Sequence, residues 1–280
     1  MSNPAHPAMP LLRAAAAGAP AFPRFRQHPG KIRMMLAALG SVMFLAFGGC
    51  FPKPVRKPPS TLGALAPGAA GDPVNRVIIP ETNGDAAYLV LGAYDGEGNA
   101  GSILLLRERL VDARVVFNSQ AGSPYYGGSA LDRWLNTVFW EQLSGEVRSL
   151  VSETTIEVTA RSSVWLAGRD REFIARKVFA LSMVECGFKP DRTPLVEGRP
   201  IPCLSDAKNR VAISDGEPLS WWLRTPDTRN PLAWVISHNG MYDIAQIDGG
   251  MGVRPAFCLN AGLKVVATEM DGRAAYRLSQ

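Results

Sequence analysis

The chain has 280 residues, 46% of them hydrophobic, and a formal charge of +5 from 30 basic against 25 acidic residues. Five basic residues (Arg13, Arg24, Arg26, Lys31, Arg33) and no acid precede residue 50, so the remainder is neutral and offers no electrostatic footprint for nucleic acid. Of three histidines, His6 and His28 also lie there, which leaves His238 alone and excludes an HExxH zinc helix; no GxSxG elbow exists for a serine triad.

In chain order, the first feature is KIRMMLAALGSVMFLAFGGC, which ends at Cys50. A basic flank, an apolar run from Met34 to Phe47 and two small residues follow the order of an export signal, too short and wrongly flanked for a spanning helix. An uncleaved interfacial or short anchoring helix is the alternative. Gly48-Gly49-Cys50 resembles the lipobox of bacterial lipoproteins, with Phe47 where leucine is commoner. The resemblance implies that residues 1–49 form a leader and signal, and that Cys50 is lipidated and anchors an exported protein to a membrane. Residues 50–75, rich in Pro, Ala and Gly, predict a semi-extended tether, and residues 76–275 a single domain.

Within that domain, Ala86–Asp95 and Ser102–Val111 predict strands joined across Gly96–Gly101, and Arg114–Ser119 a short third strand. Leu131, Trp134, Leu135, Val138 and Phe139 keep helical spacing behind Ser129 as N-cap, with Asp132 three residues on. A second helix is predicted behind Ser144. Thr154–Ala160 and Arg176–Ser182 read as strands, with Ser182 placed to cap a helical turn. Residues 187–218 read as a long loop, flanked by Cys186 and Cys203 as a candidate disulfide; Cys258 reads as a buried apolar residue. The C-terminal part reads as antiparallel β: Ser220–Pro226, then a hairpin on Asn239-Gly240 that pairs Val235 with Ile244 and Trp234 with Ala245, and finally Gly252–Asn260 followed by LKVVATE.

The ordered motifs LDRWLNTVFW, FALSMVECGF, SWWLRTP, AWVISHNG and GVRPAFCLN resemble the bacterial family catalogued as domain of unknown function 6273. The resemblance implies an α+β, C-type-lectin-like fold, a group that includes formylglycine-generating enzymes and the variable proteins of diversity-generating retroelements. Arg224, beside Trp221 and Trp222, and Arg254 in GVRPA read as structural arginines that need buried partners rather than as ligand clamps. The candidate recognition residues are the polar tips Asp227, Arg229 and Asn230, then His238, Asn239, Tyr242 and Asp243. By the resemblance, they would receive an extracellular protein or glycan without catalysis. The alternatives are an enzyme of the formylglycine-generating type and a structural envelope component. No cysteine lies near another in sequence to carry that oxidation, and Glu172, Glu185 and Asp243 form no carboxylate pair legible from spacing. Asp227, Asn230, Asp243 and Asp248 lack the spacing of a calcium loop, so neither a metal nor another cofactor is predicted.

Overall fold

Runs rich in Val, Ile and Leu account for most of the regular structure in the computed structural model, which describes residues 58–279 apart from 70, 95–98, 112, 113, 120, 121 and 189–196. The expected leader and Cys50 lie outside the described residues. In chain order the strands are β1 (Arg76–Glu81), β2 (Gly84–Ala93), β3 (Ser102–Arg107), β4 (Val115–Val116), β5 (Val151–Ser152), β6 (Thr154–Thr159), β7 (Arg171–Arg176), β8 (Ile213–Ser214) and β9 (Glu217–Pro218). They continue with β10 (Trp221–Pro226), β11 (Leu232–Ile236), β12 (Tyr242–Gln246), β13 (Gly250–Met251), β14 (Ala256–Asn260), β15 (Val265–Met270) and β16 (Arg273–Leu278). The main sheet runs β15-β16-β1-β2-β3-β14-β5, and a three-stranded sheet runs β10-β11-β12. All the pairings are antiparallel except β1 with β16. The fold is therefore mixed and mostly β.

Ala130–Trp134, Leu135–Phe139 and Trp140–Gln142 form one continuous helix, α1. Ser129 Oγ caps it by accepting from Asp132 N at 3.1 Å, and Ser144 Oγ caps α2 (Gly145–Leu150) by accepting from Val147 N at 3.2 Å. The middle of α1 is π-helical. That wider turn keeps Leu131, Leu135 and Phe139 in the core but rotates Val138 into solvent, against its expected place on the apolar stripe. The strand expected at Arg176–Ser182 lies earlier, as β7 paired with β6. Asn136 explains the shift: its side chain donates to Val178 O at 2.9 Å and accepts from Val178 N at 3.2 Å, taking the place of a neighbouring strand.

The folded body begins before residue 76. Leu62 and Leu65 are fully buried, Leu62 N donates to Leu263 O at 2.8 Å and Val265 N to Ser60 O at 3.1 Å. Two leucines in a Pro- and Gly-rich stretch pin it near β15, so residues 60–75, expected to belong to the tether, are part of the folded body apart from residue 70, which is not described.

Cys186, Cys203 and Cys258 are buried free thiols, and the expected Cys186–Cys203 bridge is not formed. Ordinary hydrogen bonds clip the segment instead: Ile201 N donates to Glu185 O at 3.0 Å and Asn209 Nδ2 to Cys203 O at 2.7 Å. Nor is the described part of 187–218 a plain loop, for it contains the short helix α3 (Ala207–Arg210) and the β8–β9 hairpin.

Candidate functional site

Every residue of β10 is buried, since the strand is covered on both faces. Trp222 Nε1 donates to Val115 O at 2.7 Å, and its ring meets Phe117 edge-on at 5.5 Å. Trp221 Nε1 donates to Arg210 O at 2.9 Å. Between these anchors and Pro226 lies Arg224, with no exposed surface. Its guanidinium grips Glu185 through two bonds of 2.6 and 2.7 Å and also donates to Ala180 O and Glu157 O, both at 3.0 Å. Burial alone would depress the Arg224 pKa, but Glu185 holds it above the ordinary value. Glu185 is itself built into a capping box: Ser182 Oγ accepts from Glu185 N at 3.1 Å while Glu185 Oε2 accepts from Ser182 N at 2.9 Å. Tyr94 OH donates to the same carboxylate at 2.7 Å.

Arg254 has no carboxylate partner among the described residues. Its donors reach Arg107 O at 2.8 Å and Asn209 O at 2.9 Å, and its guanidinium lies 5.4 Å from the Trp221 ring centre. Burial therefore lowers its pKa to about 10. Both arginines are spent inside the protein: Arg224 ties β10 to Glu185 and nearby carbonyls, and Arg254 ties the residues before β14 to the carbonyls of Arg107 and Asn209.

Below β10 sits a second buried carboxylate that the sequence did not single out. Glu197 accepts from Thr159 N at 2.7 Å and Thr159 Oγ1 at 2.6 Å, and from Thr225 Oγ1. Burial raises its pKa above the ordinary 4.5, against the lowering pull of Arg224 and the threonines. The native state then keeps a proton that the unfolded chain has released, so stability falls as pH rises above about 4.5. Glu197→Gln keeps the acceptor for Thr159 and removes the ionisation. The variant should match or exceed the parent in urea denaturation at pH 7, with a margin that grows with pH. A margin that shrinks with rising pH would refute this.

The residues expected to form one recognition surface divide into two groups. Asp227, Arg229 and Asn230 precede β11, and His238 and Asn239 follow it, so about 17 Å of strand separates them. At the first end, Asp227 Oδ1 accepts from Arg229 N at 2.7 Å and Asn230 N at 3.3 Å, a self-contained turn with Arg229 and Asn230 exposed. At the second end, Gly240 N donates to Ser237 O at 2.9 Å and Ser237 N to Met241 O at 2.7 Å. Gly240 has φ +80, and a Cβ there would meet Ala207 O at 2.5 Å, so the tip is docked on α3. This loop holds one residue more than the expected two-residue turn.

The extra residue shifts the register: Trp234 pairs with Ile244 and Val235 with Asp243. Trp234, Ile236, Tyr242 and Ile244 therefore share one face of the small sheet, and Asp243 points to the other. Tyr242 packs edge-on to Phe188 at 4.9 Å and to Trp234 at 5.7 Å. Met241, Tyr242 and Ile244 remain largely exposed, and β12 is the outer strand of its sheet. Trp234 Nε1 beneath them is buried without a hydrogen-bond partner.

Elsewhere, a shallow open groove of about 370 Å³ is lined by Asp132, Asn136, Arg176 and Lys177. Its carboxylate is consumed: Asp132 accepts twice from Arg176 at 2.7 Å and once from Gly128 N at 2.7 Å. Burial raises the Cys258 thiol to about 12 and the Cys203 thiol to about 11, far from reactive thiolates. Among the described residues no group of three or more His, Cys, Asp and Glu converges on a metal position.

These features define a mostly β domain in which buried ion pairs hold β10 and α1 in place and the candidate recognition residues lie on loops and one sheet edge. Residues 100–261, more than half of the chain, match the family described as Domain of unknown function (DUF6273), and the protein belongs to that family. The match takes in β3, both longer helices and β10 to β14, and leaves β1, β2, β15 and β16 outside. No curated protein and no solved structure matches the chain.

Proposed function

We propose that this chain is an envelope-anchored lipoprotein, lipidated on Cys50, with a C-type-lectin-like domain that recognises an extracellular ligand without catalysis. The supporting observation is β12, an outer strand that presents Met241, Tyr242 and Ile244 to solvent while the buried charges Arg224, Glu185 and Asp132 are held by internal partners. An outer strand without a further partner among the described residues, beside an aromatic face, suits an extended protein segment, which adds backbone hydrogen bonds and inserts alternate side chains. That favours a protein ligand over a glycan. The orphan Trp234 donor would be satisfied by an acceptor arriving with the segment. A variable protein of a diversity-generating retroelement fits this role. Its gene would lie beside a reverse transcriptase and a near-repeat of the region coding residues 220–260.

The test is capture on protein and glycan arrays by residues 51–280, compared with Met241→Asp/Ile244→Asp. Both side chains are exposed, so the melting temperature should stay within a few degrees while capture falls at least tenfold. Unchanged capture by the double variant would refute the β12 surface.

A further inference from the structure

The β6–β7 hairpin ends in an unusual tip. Trp165 and Leu166 stand out of it, 48% and 78% exposed. Trp165 has φ +74 and Ala167 φ +52, left-handed backbone that a bulky side chain adopts only when its surroundings impose it. The surroundings do so here. Gly168 N donates to Ser163 O at 3.1 Å, Asp170 N to Ser163 Oγ at 2.8 Å and Ala167 N to Thr228 O at 3.3 Å. Gly168 lies so close to Ser163 that an added Cβ would meet Ser163 Oγ at 2.6 Å. Strained backbone is thus held in place to display an indole and an isobutyl group that touch no core.

Charge surrounds them. Arg161, Arg169 and Arg171 flank the tip in sequence, and the Ala167–Thr228 bond brings Arg229 alongside. Arg169 and Arg229 have no ion-pair or side-chain hydrogen-bond partner among the described residues. Of the nearby acids, Glu172 accepts from Tyr125 OH and from Arg161 N, and Glu157 is paired with Arg171 at 2.5 Å. Asp170 is the remaining acid within residues 161–171.

We propose that this tip docks on an anionic lipid surface, with Trp165 and Leu166 entering the headgroup region and Arg169 and Arg229 meeting lipid phosphates. Tryptophan beside an aliphatic residue, ringed by cations, matches the chemistry of a bilayer interface. The length of chain before the fold selects the membrane over an acidic protein. Ser60 is already bonded to β15, so only nine residues separate it from Cys50, and that stretch reaches about 35 Å at full extension. A domain held that close to a bilayer meets lipid far more often than it meets a dilute partner. The inference rests on the membrane attachment proposed above, which keeps the tip within reach of lipid.

The experiment is vesicle co-sedimentation of residues 51–280, which lack the lipidated cysteine but contain the whole described core. Vesicles of phosphatidylcholine alone are compared with vesicles holding about 30% phosphatidylglycerol. Binding should appear with the anionic lipid and weaken with salt. Trp165→Ser/Leu166→Ser should weaken it at least tenfold, and Arg169→Glu/Arg229→Glu by a similar factor, about fivefold per arginine. All four side chains are exposed, and an unchanged melting temperature confirms that the variants fold. Absence of binding, or equal binding to neutral vesicles, overturns the proposal. So does a Trp165→Ser/Leu166→Ser variant that binds vesicles normally but loses protein capture on the arrays, which would assign the tip to a protein partner. Attachment itself is read separately, by membrane fractionation of cells carrying the full chain with Cys50→Ala.

Discussion

Arg224→Met should cost the domain about 3–5 kcal/mol in urea denaturation at pH 7, a large part of the 5–15 kcal/mol typical of such domains. The cost arises mainly from what is left behind rather than from what is lost. Glu185 has no exposed surface, and without the guanidinium its carboxylate would be charged in an apolar setting. Ala180 O and Glu157 O would lose a donor as well, at about 1 kcal/mol each. Two companion variants separate these contributions. Arg224→Lys keeps the charge but not the fork, and should fall between parent and methionine variant. Arg224→Met/Glu185→Leu removes both charges and should be more stable than Arg224→Met alone, while remaining below the parent because Tyr94 OH and Ser182 N lose their acceptor. A single variant within about 1 kcal/mol of the parent would show that Glu185 does not depend on Arg224.

That pairing also shows where sequence reading stops. Buried arginine beside two tryptophans requires a partner, and this much follows from β10 alone. The partner, Glu185, lies 39 residues upstream. Only the Ser182–Glu185 capping-box spacing hinted that this glutamate was committed to a fixed place, and a capping box says nothing about an arginine on another strand. Glu197 carried no signal: a lone glutamate next to Gly198 looks like any loop acid until Thr159 and Thr225 close around it. Local caps were legible because they are decided within four residues, as at Ser129 and Ser144.

Turns divide the same way. Asp215-Gly216 and Asp271-Gly272 both have positive φ at each residue, the two-residue hairpin geometry, and both were readable as Asp-Gly although neither was used. Asn239-Gly240 carries the same kind of signal but forms a longer loop. Asn239 Oδ1 accepts from Ser237 Oγ at 2.7 Å and Met241 N at 3.0 Å, and Arg210 Nε grips Gly240 O at 2.6 Å. Those contacts come partly from α3, outside the hairpin, so no local rule could supply them. One residue of slip then decides which face of β12 carries Tyr242, and with it the composition of the candidate surface. The Trp165–Leu166 tip carries no local signal: only exposure distinguishes its apolar residues from those of a core.

The candidate surfaces stay put only if β10 does, and Trp222 fixes β10 to the opposite side of the core. Trp222→Ala should destabilise the domain by about 3–5 kcal/mol, the range for a large aromatic removed from a packed interior. The ring contacts Phe117, and its indole N–H is the donor to Val115 O at 2.7 Å. Val115 belongs to β4, whose only strand partner among the described residues is β13, two residues long, so the indole bond secures a weakly paired segment. Trp222→Phe separates the two contributions. It retains most of the volume and loses the donor, and should cost about 1–3 kcal/mol, the penalty for an unsatisfied buried carbonyl together with a small cavity. If both variants lost the same amount, the hydrogen bond would carry the whole effect; if phenylalanine were neutral, packing would carry it. Either extreme would contradict the geometry, in which a fully buried ring both fills space against Phe117 and donates to β4. Hydrogen exchange adds a spatial check: in Trp222→Phe, the amides of β4 and β13 should lose protection before those of β11 and β12, because the lost donor sits on the β4 side of the strand.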